Sequence, residues 1–250
     1  MRPLDKGISP TDAFGNAIMP TDYKNWRLAL VKRIGYYCVY CNQPLSHSLQ
    51  VEHVIPKNPL AGFTPGDPIS WDNMLLACGP CNNAKSNTPI DSNTYYLPEE
   101  HNTHLPFTIE VAAIPEHAIV TAKNGINPIQ VQKADLTIDL LELAAIDLRN
   151  NVVDIRSQKR KDAMIAVSSN RQLFDLARQA PAFNVVQVAQ LIKTQAVVTG
   201  FFSLWYDAFT DVPEVLQALI TINGTDPNCF DAANGYRPIP RNPTNLTDTI

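Results

Sequence analysis

Four cysteines stand in two pairs, Cys38 with Cys41 and Cys78 with Cys81, and between the pairs lies a Glu52-His53 step. Two Cys-x-x-C knuckles present four thiolates, the donor set of a closed tetrahedral Zn²⁺ site with Zn–S distances of about 2.3 Å. The same residues leave two other readings open, a pair of disulfides or unligated buried thiols. A closed four-thiolate site has no free coordination position, so a metal there stabilises the fold and does no chemistry. Chemistry then needs a second centre. Residues 49–55 read as a short strand ending at Pro56. Neighbouring strand side chains point to opposite faces, so Glu52 and His53 act on two sides of one small site. Asn73 stands between His53 and the second cysteine pair, and Asn82 directly follows Cys81. The second knuckle opens a helix for which Pro80 and Asn82 are suitable starting residues, and a helix start is where phosphate docks well.

Taken in order, C-x2-C, Glu-His, Asn and C-x2-C-N-x2-K resemble the HNH nucleases with a ββα-metal core, in the branch that carries a four-cysteine zinc clamp; the match covers roughly residues 26–90. The resemblance implies His53 as general base, Glu52 and Asn82 as ligands of a catalytic Mg²⁺ or Mn²⁺, and Asn73 in the hairpin loop orienting His53. Asn82 stands where the family name calls for His, and Glu52 replaces the commoner Asp. Carboxylate and amide oxygens both suit a hard cation. The implied reaction is hydrolysis of phosphodiester bonds in nucleic acid, most naturally DNA, with RNA as the other substrate. Imidazole titrates near neutral pH, which fits a base for water, and one hard cation on oxygen ligands can polarise the phosphate.

Composition sets bounds. The chain has 250 residues, 45% hydrophobic and 18% charged, with a net charge of −4. It is long enough for one large or two small cores and too acidic overall to coat DNA. Between Asp22 and Ser86 six basic residues (Lys24, Arg27, Lys32, Arg33, Lys57, Lys85) face four acidic ones, so the core is mildly positive inside an acidic whole. Non-specific affinity should be modest and salt-sensitive. Lys57 and Lys85 are the best single candidates for phosphate contact, and each also reads as an ordinary exposed lysine. No apolar leader and no membrane-length apolar run is present, which gives an expectation of a cytoplasmic protein without a membrane partner.

The expected fold class is α+β, a zinc-clamped ββα-metal core followed by a mainly helical C-terminal domain. The divisions are an extended arm over 1–22, a core with a flanking hairpin over 23–130, a helical domain over 131–237 and a loose tail over 238–250. Residues 23–35 predict a helix ended by Gly35, with Trp26, Leu28, Leu30, Val31 and Ile34 available to a core. The segments PFTIEVAA and HAIVTA read as a hairpin. His101 and His104 suggest a metal pair, against which stands the simpler reading of a surface loop. From about residue 134 to 167 the spacing of Leu136, Leu140, Leu143 and Ile146 predicts one long helix. Arg149, Arg156, Lys159, Arg160 and Lys161 gather near its far end and read as a solvated face. Further helices are expected over 169–180, 184–200 and 213–222. Cys229 reads as an inert buried thiol.

Beyond the core, the Arg-Pro…Lys-Gly arm, YLPEEHNT and GFFSLWYDAF are similar to HNH nucleases of bacterial antiphage defence, the Septu nuclease subunit and retron-associated effectors. That resemblance implies an ABC-type ATPase partner, for which an exposed GFFSLWYDAF would be a docking surface; the alternative is that its aromatics are core. The competing function is a non-catalytic zinc module binding nucleic acid or a protein. Such a module needs the cysteines but has no use for Glu52, His53 and Asn82 together.

Overall fold

The computed structural model describes residues 1–45, 49–146 and 154–250. Helix α1 (Arg27–Ile34) follows a 3₁₀ turn at Tyr23–Trp26 that Asp22 caps by accepting from the Lys24 amide, and it stops at Gly35, whose φ of 92° favours glycine. It buries Leu30, Val31 and Ile34, while Leu28 stays exposed on the opposite side. Strands β1 (Gln50–His53) and β2 (Met74–Ala77) pair antiparallel, with His53 opposite Met74 and Glu52 opposite Leu75. Every residue of β2 is buried. Helix α2 (Gly79–Lys85) starts at Cys78, whose sulfur accepts from the Cys81 amide, and Pro80 lies in its first turn. These three elements make the ββα unit that the sequence implies.

Strands β3 (Phe107–Val111) and β4 (Ala118–Ala122) form the flanking hairpin. Helix α3 (Pro128–Leu141) begins with a capping box between Asn127 and Gln130 and packs on α2 and β4. It is not the first half of one long helix. Glu142 takes a left-handed conformation (φ 54°), and Leu143 folds back so that its amide donates to the Ile138 carbonyl. Leu143 is fully buried and its carbonyl accepts from Val120 of β4, so docking on the hairpin overrides the helical period. Arg149 lies outside the described residues. Helices α4 (Arg156–Ala177), α5 (Val185–Thr199), α6 (Phe202–Ala208) and α7 (Pro213–Ile220) follow.

Buried apolar side chains fall into two clusters. One gathers α1, the cysteines, the ββα unit, the hairpin and α3; the other lies among α4 to α7 and takes in Phe230. Phe201, Phe202, Trp205, Tyr206 and Phe209 are all buried, so the aromatics of the GFFSLWYDAF segment are core. His101 and His104 are buried as well, not in a surface loop. His101 Nδ1 accepts from the Leu97 amide and its Nε2 lies 2.9 Å from Lys133 Nζ, while His104 Nε2 is 3.2 Å from Asp207. Separate partners hold the two rings, and neither joins a metal-ligand cluster among the described residues. The arm and the tail are tied down at specific points. Met1, Arg2, Leu4 and Lys6 are buried, and Leu4 pairs with Thr225. In the tail, Arg241 engages Asp226, Asp248 lies 2.6 Å from Lys133, and Ile250 is buried, so ion pairs anchor the segment expected to be loose.

Candidate active site and metal centre

The four sulfurs of Cys38, Cys41, Cys78 and Cys81 lie within 4.8 Å of one another, and all four residues are buried. Cys41 and Cys78 approach to 3.8 Å, far beyond the about 2.05 Å of a disulfide, and all five cysteines are free. The first knuckle is shaped by Asn42, which adopts φ 59° and donates its amide to the Cys38 carbonyl; the second is the start of α2. Hydrogen bonds from the neighbouring thiols, Cys38 first, together with the Arg156 charge, hold Cys41 well below the usual thiol range, while burial pushes Cys81 up. Four convergent buried thiols fit a tetrahedral metal.

Strand β1 presents Glu52 and His53 to different surroundings. His53 is half-buried, and its ring packs against Tyr23 with centroids 4.6 Å apart. Its Nε2 lies 3.1 Å from the Pro68 carbonyl. A carbonyl can only accept, so the neutral ring carries its hydrogen on Nε2 and keeps the Nδ1 lone pair for a proton. Asn73 makes no hydrogen bond to the ring. Its Oδ1 accepts from the Ile55 amide at 2.7 Å, and its Nδ2 donates to the Ile55 and Asp67 carbonyls at 2.9 Å each. Asn73 thereby pins the loop that carries Pro68. Gly66 lets the loop close: a Cβ there would fall 2.2 Å from the Ile55 carbonyl oxygen and 2.6 Å from Asn73 Nδ2.

Glu52 is 2% exposed. Its Oε2 accepts from the Tyr40 hydroxyl at 2.8 Å, and its Oε1 lies 2.7 Å from Lys85 Nζ. The ammonium aims its hydrogen bond at the His53 carbonyl, also at 2.7 Å, and among the described residues no hydrogen bond is directed at Oε1. Lys85 is 1% exposed, so it is an internal partner of Glu52 in this state and not a surface cation. Asn82 donates from Nδ2 to Gln50 Oε1 at 2.7 Å. Gln50 and Glu52 share one face of β1, so that face and the first turn of α2 bring together oxygen donors suited to a hard cation. Lys57 stays exposed, with Nζ 5.3 Å from the Tyr23 ring centroid, and Lys24 lies 5.8 Å from the same ring. Two cations therefore lie by the phenol ring that packs on His53.

Tyr23, Tyr40, Gln50 and Arg156 escape a reading of the motif. Tyr40 sits inside the first knuckle and was the most accessible of them, since a side chain between two metal ligands has few places to go. Arg156 and Arg160, expected on a solvated face, are buried, with Arg156 Nη1 3.0 Å from Cys81 Sγ.

Residues 38–88 match the family model described as HNH endonuclease. Over 66 residues the chain is 34% identical to the CRISPR-associated endonuclease Cas9 of Corynebacterium diphtheriae, a stretch that covers 26% of this chain and 6% of that protein. The chain therefore spans only a small part of that relative's length. No solved structure gives a match. The HNH domain at 38–88 contains both cysteine pairs, Glu52, His53, Asn73 and Asn82.

Proposed function

We propose that the protein is a metal-dependent endonuclease that hydrolyses phosphodiester bonds, in DNA by preference, with His53 as general base. The observation that carries this reading is the imidazole itself. It is half-buried, held at Nε2 by a backbone carbonyl and flanked by Tyr23, with Nδ1 free to take a proton from the attacking water. Asn73 positions the base through the loop backbone. Glu52 and Asn82 would hold a Mg²⁺ or Mn²⁺ ion, whose charge would stabilise a non-bridging phosphate oxygen and the leaving oxygen. Lys57 and Lys24 would draw in flanking phosphates. The four cysteines would hold Zn²⁺ as a structural ion, in keeping with their burial.

One observation favours a second reading, a zinc module that binds nucleic acid without cutting it. Glu52 is already engaged by Lys85 and Tyr40, so metal binding must rearrange that pair. We further propose that the nuclease is an effector of antiphage defence working with an ABC-type ATPase. Support for this comes from the similarity of the arm and the C-terminal half to Septu and retron-associated nucleases. No helix among the described residues is long and apolar enough to cross a membrane.

Cleavage of plasmid, single-stranded DNA and RNA by the wild type and by His53→Ala, with Mg²⁺, Mn²⁺ or EDTA, tests the enzyme. Metal-dependent cutting that the variant loses supports it and selects the nucleic acid. Silence of the wild type, alone and after co-purification with an ATPase, favours the binding module.

A further inference from the structure

Two buried arginines lie one turn apart on α4, and the first touches the cysteine cluster. Arg156 is 1% exposed and Arg160 fully buried. The guanidinium of Arg156 works as a junction. Nη1 donates to Cys81 Sγ at 3.0 Å and to the Leu141 carbonyl at 2.9 Å, Nη2 donates to the Glu142 carbonyl, and Nε and Nη2 grip Asp154. Arg160 donates from Nη1 to the Ala118 carbonyl at 3.0 Å, and its Nε and Nη2 are buried without a hydrogen-bond partner among the described residues. An uncompensated buried guanidinium is strongly destabilising. Asp154 answers one of the two positive charges. Cys81 Sγ, 3.0 Å from Arg156 Nη1, brings the sulfur cluster into direct contact with this basic pair. A divalent ion on four thiolates is a buried dianion, and such a centre needs counter-charge from the protein around it.

We infer that Arg156 and Arg160 are the counter-ions of the four-thiolate metal centre, and that through them the bound metal fastens α4 and the C-terminal end of α3 to the ββα unit. The inference rests on the zinc reading above. Three segments meet at the Arg156 guanidinium: Cys81 of α2, the Leu141 and Glu142 carbonyls that end α3, and Asp154 ahead of α4. Arg160 adds β4 through Ala118. With the metal gone, Cys81 Sγ is no longer held in place as the acceptor for Arg156. Clamp and helices should then loosen together.

The test uses the full chain loaded with zinc, comparing the wild type with Arg156→Met, Arg156→Lys and Arg160→Met. Zinc release to excess chelator should be roughly 10–100-fold faster in the two Met variants. Arg156→Lys, which keeps the charge but loses the fork, should fall between. With Co²⁺ in place of zinc, the thiolate-to-metal absorption band should move in Arg156→Met, because the N–H donor to Cys81 is gone; a merely structural role would leave it in place. Stripping zinc from the wild type should raise hydrogen exchange over 118–122 and 156–163 before it rises over 213–220. Folded Arg160→Met and Arg156→Met samples that release zinc at the wild-type rate overturn the inference. If the Met variants do not fold, an Arg156→Lys variant with wild-type release and an unmoved cobalt band overturns it. A wild type that takes up no zinc removes the metal reading and this inference together, whereas a zinc-loaded wild type with indifferent variants removes the inference alone.

Discussion

Lys85 Nζ sits 2.7 Å from Glu52 Oε1 while donating to the carbonyl of His53, so one buried ammonium bridges both residues of the Glu-His step. It occupies the neighbourhood in which a catalytic cation would have to bind. The pair is 1% exposed on both sides, and breaking a buried ion pair by removing one partner costs about 3–5 kcal/mol. Lys85→Met should lower stability by roughly that amount in urea unfolding, because Glu52 is left charged and buried. Added Mg²⁺ or Mn²⁺ should restore part of the loss in the variant and much less in the wild type. Equal metal effects on both proteins would remove Glu52 from the cation site.

His53→Ala should fold normally, keep its zinc and lose about 10²–10⁴-fold in cleavage rate, the usual worth of a positioned acid–base group. Asn73→Ala should behave differently. Its three hydrogen bonds hold the loop that carries Pro68, so the variant should lose stability, by about 1–3 kcal/mol, as well as rate. Melting curves beside single-turnover cleavage separate the two. An Asn73→Ala protein that melts like the wild type would contradict the loop-pinning role.

How much of this the sequence revealed depends on how local the cause is. The cysteine clamp was legible because two-residue spacing forms a knuckle whatever the rest of the chain does. The ββα order was legible because hairpin, knuckle and helix start follow one another within a short stretch. The Glu52–Lys85 pair was not, because it joins residues on separate elements, each of which reads alone as ordinary. Arg156 and Arg160 were misjudged for the same reason: a basic run on a helix is normally solvated, and the partners that bury Arg156 and Arg160, Cys81 and the Ala118 carbonyl among them, lie far away in sequence. The break after Leu141 hinges on Leu143 docking against β4, which helical spacing cannot announce.

His101 gives the acid side of the stability profile a specific contributor. Burial, and then the Lys133 charge, bring its pKa from 6.5 down to about 4. Between those values the unfolded chain binds a proton that the folded chain refuses, so stability falls as pH drops through that window, by at most about 1.4 kcal/mol per unit. Asp248, held low by Lys133 and Tyr96 despite its partial burial, adds a loss at lower pH. Melting temperatures at pH 7 and pH 5 should therefore differ more for the wild type than for His101→Gln. An identical pH shift in the two proteins would show that His101 is not protonated on unfolding.

Cys78→Ser should be the most damaging single change in the core. The Cys78 sulfur is one of four clustered donors and also caps α2 by accepting from the Cys81 amide. A hydroxyl can keep the cap, since serine is a good N-cap residue, but it is a poor fourth ligand beside three thiolates. The variant should therefore lose zinc by elemental analysis and show a core that is open to proteolysis, while a capping loss alone would cost only about 1 kcal/mol. Full zinc content in a purified Cys78→Ser protein would mean that the cysteines do not act as a four-ligand set. Zinc loss with wild-type protease resistance would mean that the clamp is dispensable for the fold.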